Sequence, residues 1–89
     1  MEPIHMPIDG TLDLHHFRPQ EIADLLTDYF EACRERGILS VRVIHGKGKG
    51  IQRARVRSLL AKNVLVRSFK EAPAEAGGWG ATLVELKPD

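Results

Sequence analysis

Cysteine occurs once in these 89 residues, at Cys33, so no internal disulfide can form and no thiol pair is available for zinc. A reducing compartment fits that usage. Long apolar runs are missing as well: none approaches the roughly 18 residues that span a bilayer. The opening MEPIHMPIDG has no basic start followed by an apolar core, so a cytoplasmic chain without a membrane partner is expected. A third absence is local. Residues 37–70 contain no Asp or Glu, yet they hold Arg42, Lys47, Lys49, Arg53, Arg55, Arg57, Lys62, Arg67 and Lys70. The formal net charge is only +1, but a one-sided block of this kind attracts polyanions wherever it faces solvent. The short chain buries only about 60–65% of its unfolded surface, which suits one small domain. An N-terminal arm over residues 1–10 and a single domain over 11–89 are expected.

The hydrophobic periodicity predicts β-α-β-α-β-β. Residues 11–14 alternate as a strand does. Pro19 suits a first helical turn, and Ile22, Leu25, Leu26, Tyr29, Phe30 and Cys33 then form one apolar stripe at helical spacing. Gly37 suits the left-handed cap that ends that helix. Residues 38–45 read as a buried strand parallel to the first, since a helix of crossover length separates them. A second helix follows, with Val56, Leu59 and Leu60 as its apolar face and Arg53 and Arg57 expected on the opposite side. Residues 64–69 and 81–86 read as the third and fourth strands, and the Gly-, Pro- and Ala-rich stretch between them as a mobile loop. Right-handed crossovers place both helices on one face, giving a two-layer α/β sandwich with a mixed four-stranded sheet.

Ligands of such sheets sit off the carboxyl ends of the parallel strands. Here those ends read LDLHH and VIHGKGKG. His15 and His45 therefore finish neighbouring strands, and Asp13 lies two residues before His15 on the same strand face. A histidine titrates near neutrality and a carboxylate beside it fixes its tautomer, which is the chemistry of a general base. Gly46, Gly48 and Gly50 allow backbone conformations that expose successive N–H groups, the following helix brings its positive end, and Lys47 and Lys49 add full charges. This suits a phosphate or phosphodiester. The Gly-Lys-Ser/Thr of a P-loop is absent, and Ile51 stands where the last glycine of a dinucleotide fingerprint belongs. In GGWG, residues 77–80, Trp79 is suited to stack on an unpaired base. His5 and His16 stand alone, no Cys or His cluster has zinc spacing, and no paired carboxylates suggest a two-metal site.

Taken in order and at these separations, LDLHH, VIHGKGKG and GGWGATLVEL resemble the Smr (small MutS-related) domain, whose hallmarks are an LDLHG-type strand end, an HGKG or TGKG loop and a late GG-x-G-x-T segment. The resemblance runs from about residue 11 to residue 86. It implies a fold similar to the C-terminal domain of a bacterial translation initiation factor, and nucleic-acid endonuclease activity such as DNA nicking or RNA cleavage. Carried over by position, it points to Asp13 and His15, to His45, Gly46, Lys47 and Gly48, and to Gly77, Gly78, Gly80 and Thr82. His16 departs from the pattern, which has glycine there. A side chain at that bend narrows the site or adds a ligand to phosphate.

The expected function is a free-standing endonuclease that nicks or cleaves DNA or RNA, in DNA repair, recombination or RNA processing. Asp13, His15, His45 and Lys47 are the candidate catalytic residues. Gly46, Gly48, Lys49, Gly50, Arg53, Arg57, Gly77, Gly78 and Trp79 are the candidate nucleic-acid contacts. The residues present require no metal, although one carboxylate with water suits a magnesium or manganese ion. Two alternatives remain: a non-catalytic module that recognises nucleic-acid structure and recruits partners, and an enzyme acting on a small phosphorylated metabolite. The length of the basic block favours a polymer over the latter.

Overall fold

The apolar stripe read from the sequence is the stripe that folds inward. The computed structural model describes residues 7–89; His5 and the greater part of the expected arm lie outside the described residues. Helix α1 spans Ile22–Glu35 and buries Ile22, Leu25, Leu26, Tyr29, Phe30 and Cys33. A 3-10 turn over Pro19–Glu21 leads into it. No side chain caps that turn at Arg18, whose Nε instead donates to Glu21 Oε1 at 2.8 Å. At the far end Gly37 takes φ +75°, Gly37 N–H donates to the Arg34 carbonyl and Ile38 N–H to that of Cys33. This paired closure satisfies helix carbonyls that would otherwise lack donors.

Strands β1 (Thr11–Asp13), β2 (Ser40–Ile44), β3 (Val66–Glu71) and β4 (Ala81–Leu86) form one mixed sheet in the order β1-β2-β4-β3. β1 and β2 are parallel, as the crossover through α1 demands; β4 runs antiparallel to both β2 and β3. Leu12, Val43 and Thr82 are in register, as are Val41 and Val84. These residues, with Leu86, form the buried face of the sheet. Against it pack α1 and helix α2 (Ile51–Lys62), the latter through Val56 and Leu60, in a single apolar core. The opposite face carries Arg42, Ile44, Leu83 and Glu85 and is partly open to solvent. Tyr29 ties β1 to this core: its hydroxyl accepts from Gly10 N–H at 3.1 Å and donates to the Thr11 carbonyl at 3.0 Å.

The expected elements are all present, with shifted edges. β2 begins at Ser40 rather than at residue 38, because Ile38 is consumed in closing α1. β3 starts at Val66 rather than 64: the Asn63 side chain accepts from Leu65 N–H and its carbonyl from Val66 N–H, so the chain turns first and leaves Val64 78% exposed. Lys70 and Glu71, expected in the loop, complete β3. The remaining β3–β4 connection folds into two 3-10 turns, Ala74–Ala76 and Gly78–Gly80, and Arg42 Nη1 holds it through the Ala76 carbonyl at 3.1 Å. The larger correction concerns α2. Arg53 and Arg57 do not point away from its apolar face; they flank it and lie over β3, the Arg57 guanidinium 5.4 Å from the Phe69 ring. Four residues advance a helix by about 400°, so 53 and 57 share a side, and 56 and 60 lie beside them rather than across from them. Among the described residues no helix is long and apolar enough to cross a membrane.

Candidate active site

Strand directions bring three segments to one edge of the sheet. β1 and β2 both end there, and antiparallel β4 begins there. The Gly80 carbonyl accepts from both His45 N–H at 3.0 Å and Gly46 N–H at 2.9 Å, which locks the β4 entry to the loop after β2. The approach is tight: a Cβ on Gly80 would lie 3.2 Å from Lys47 Cγ.

His15 stands beside that loop. Asp13 Oδ1 accepts from His15 N–H at 2.9 Å and contacts Nδ1 at 2.5 Å. A carboxylate only accepts, so Nδ1 carries a proton, and in the neutral imidazole Nε2 is the nitrogen that keeps its lone pair. Nε2 faces Gly46, where an added Cβ would come within 3.2 Å of it. The His15 backbone N–H is the main reason the Asp13 carboxyl is held below its ordinary value; partial burial opposes this, and the His15 side chain reinforces it. Asp13 therefore stays ionised and keeps the tautomer fixed. Both side chains are open to solvent, 55% exposed for His15 and 53% for Asp13.

His45 differs in every respect. It is 6% exposed. Its Nδ1 lies 3.0 Å from the Gly46 carbonyl and its Nε2 2.9 Å from Thr82 Oγ1. The carbonyl can only accept, so Nδ1–H donates to it and Nε2 accepts from the Thr82 hydroxyl, which is the neutral imidazole with both nitrogens engaged. Burial pushes its pKa down; the Gly46 carbonyl opposes, and the charges of Arg53 and Arg57 add to the depression.

The loop itself alternates in hand. Gly46, Gly48 and Gly50 have φ of +84°, +39° and +81°, while Lys47 and Lys49 between them remain at negative φ. Such alternation turns successive N–H groups toward one side, a concavity for an anion. Among the described residues the N–H groups of Lys47, Gly48 and Lys49 have no backbone acceptor. Gly50 begins α2 without a side-chain cap, so the N–H groups of the first turn add to the same positive end. Lys47 and Lys49 are exposed.

A family model described as "Smr domain" matches residues 12–87. The chain belongs to the Smr domain family. It is 39% identical over 80 residues to Endonuclease MutS2 of Pediococcus pentosaceus, covering 90% of this chain and 10% of that protein. It is 41% identical over 58 residues to Endonuclease MutS2 of Thermus thermophilus, covering 65% of this chain and 8% of that protein. The chain thus spans about a tenth of the length of these relatives. The crystal structure of the Smr domain of Thermus thermophilus MutS2 superposes with a TM-score of 0.78 at 38% identity, covering 89% of this chain and 99% of that one. YdaL, a stand-alone small MutS-related protein from Escherichia coli, gives 0.80 at 26% identity over 91% of this chain and 66% of its own.

In this Smr domain the sequence-derived candidates take different places. Asp13, His15, Gly46, Lys47, Gly48, Lys49 and Gly50 share the edge. Gly77 and Gly78, with φ of +111° and +54°, make the turns that deliver Gly80 and Trp79 to it. His45 lies beneath the loop. Arg53 and Arg57 sit to the side over β3, Arg53 engaged by Glu71 Oε1 at 3.3 Å. His16 is exposed at the bend after β1. Two residues with a part here were not among the chosen candidates: Thr82, which had only been matched to the third motif, and Glu71. Thr82 pairs with His45 across the β2–β4 register, and Glu71 is the acid that closes the basic block, its only signal in the sequence. Among the described residues, no three His, Cys, Asp or Glu side chains cluster as metal ligands.

Proposed function

We propose that this Smr domain is a nucleic-acid endonuclease in which one group of residues holds a phosphate and another cuts beside it. The observation that carries the reading is the direction of His15: Nδ1–H held by Asp13, Nε2 facing the glycine loop. A phosphodiester seated on the N–H groups of residues 47–49 and the start of α2, beside Lys47, has its non-bridging oxygens neutralised there. His15 Nε2 takes the proton from the attacking hydroxyl, its oxygen bonds to phosphorus, and the bond from phosphorus to the leaving oxygen breaks; the leaving oxygen takes a proton from solvent. The nucleophile is water for DNA, and water or the adjacent 2′-hydroxyl for RNA. His45 keeps the loop in place and moves no proton in this scheme, because both of its nitrogens are occupied. Relatives named Endonuclease MutS2 support the class of reaction. A setting in DNA repair or RNA processing in the cytoplasm suits it.

The test is incubation of the purified protein with end-labelled single-stranded DNA, duplex DNA and RNA, with and without EDTA, over a range of salt. Endonucleolytic products are expected, with binding that weakens steeply as salt rises, because each neutralised phosphate releases counterions. Retarded but intact substrate would mean that the loop holds a phosphate without cutting it. The domain would then be a recognition module.

A further inference from the structure

Trp79 is 38% exposed, and it belongs neither to the apolar core nor to the side chains packed around it. Its neighbours are of another kind. The ring edge lies against Gly50 at the start of α2, so close that a Cβ there would come within 2.8 Å of Cη2. The Arg53 guanidinium sits 4.9 Å from the ring centroid, and its Nη2 donates to Glu71 Oε1 at 3.3 Å. Glycine at 50 is thus needed twice, for its φ of +81° and for the approach of the ring. A large aromatic fixed on two sides by a glycine and a tethered cation, with much of its surface still in water, contributes little to the core. It is a preorganised stacking surface.

We infer that Trp79 stacks an unpaired base next to the phosphate held by the loop, and so selects single-stranded or locally unpaired nucleic acid. The inference rests on the nucleic-acid reading above. Gly50 belongs both to the loop and to the ring's contact surface, which puts the two sites within one nucleotide of each other. In a duplex the base beside a held phosphate is stacked and paired, and reaches the ring only if it is unpaired first. An unpaired strand offers its π-face to any aromatic without that cost, whatever the base. Arg53, paired with Glu71, lies over the ring. DNA and RNA present the same base face, so the 2′-hydroxyl does not enter the selection.

Trp79 is the only tryptophan in the chain, so its fluorescence reports the contact directly. The full chain is titrated with oligo(dT), oligo(rU) and a blunt DNA duplex at one salt concentration, alongside Trp79→Ala and Trp79→Phe, with circular dichroism to check folding. Both single strands should quench the emission as they bind, whereas the duplex should bind more weakly with little quenching. Trp79→Ala should lose roughly 5- to 100-fold in single-strand affinity with a much smaller change for duplex, and Trp79→Phe should recover most of the loss. Quenching by only one of the two single strands would overturn the claim that the 2′-hydroxyl is irrelevant. Binding without quenching, or equal losses for single strand and duplex, would overturn the inference and leave the nucleic-acid reading standing. Binding to none of the three would overturn both.

Discussion

His15 and His45 end adjacent parallel strands, yet their surroundings differ. The first is open to solvent with Nδ1 held by Asp13; the second is buried and bonded at both nitrogens. Burial and the Gly46 carbonyl set the state of His45, and the Thr82 hydroxyl meets its Nε2. Thr82→Val removes the hydroxyl and leaves a buried nitrogen unpaired, a loss of about 1–3 kcal/mol in chemical denaturation. The same site sets a pH dependence. The folded pKa of His45 lies below its ordinary 6.5, so as the pH falls past that value the unfolded chain takes up the proton first. Stability contributed by neutral His45 is therefore present above about pH 6.5 and lost as the pH falls through the lower folded value. Denaturation curves at pH 8 and pH 5 should show less stability at the lower pH, with the difference reduced in His45→Gln. An equal difference in the variant would place the titration elsewhere.

At the scale of elements, the turn from β2 into α2 is the most constrained part of the fold. Gly46→Ala forces a side chain into a left-handed backbone, at about 1–2 kcal/mol, and drives a methyl toward His15 Nε2. Cleavage by this variant should fall roughly 10- to 100-fold with helix content retained, since small displacements of a reacting group are costly. Gly48→Ala is the comparison: an added Cβ there meets nothing within 4 Å, so backbone strain acts alone and the loss should be smaller. Equal losses in a cleavage assay would show that the approach to His15 is irrelevant. This turn was legible in the sequence because glycine and histidine have few reasons to alternate with lysine. The α1 stripe was legible for a similar reason, as all six of its apolar residues obey one period. The edges of β2 and β3 were not, because Ile38 and Asn63 serve the end of the preceding helix, a local competition that strand alternation does not register. Arg53 and Arg57 lie beside Val56 and Leu60 because residues three and four apart share a side of a helix, so charge alone does not set them on the opposite face.

Over the whole molecule, charge is sorted more than it is summed. The acids Asp24, Asp28, Glu31 and Glu35 lie exposed along α1, while Lys47 and Lys49 lie exposed on the loop at the sheet edge. A polyanion is thus steered to the edge where β1, β2 and β4 meet. The basic block announced this in the sequence; the contacts that organise the edge did not. Gly80 to His45, Thr82 to His45 and Glu71 to Arg53 join residues distant along the chain, and only the sheet order brings them together. The central claim is that holding and cutting fall to different residues, and it is tested most directly by His15→Ala under single-turnover conditions, with affinity measured on the same substrate. A cleavage rate lower by roughly 10²- to 10⁴-fold and a Kd changed by no more than about threefold are expected. An unchanged rate, or a loss that appears wholly in Kd, would contradict it.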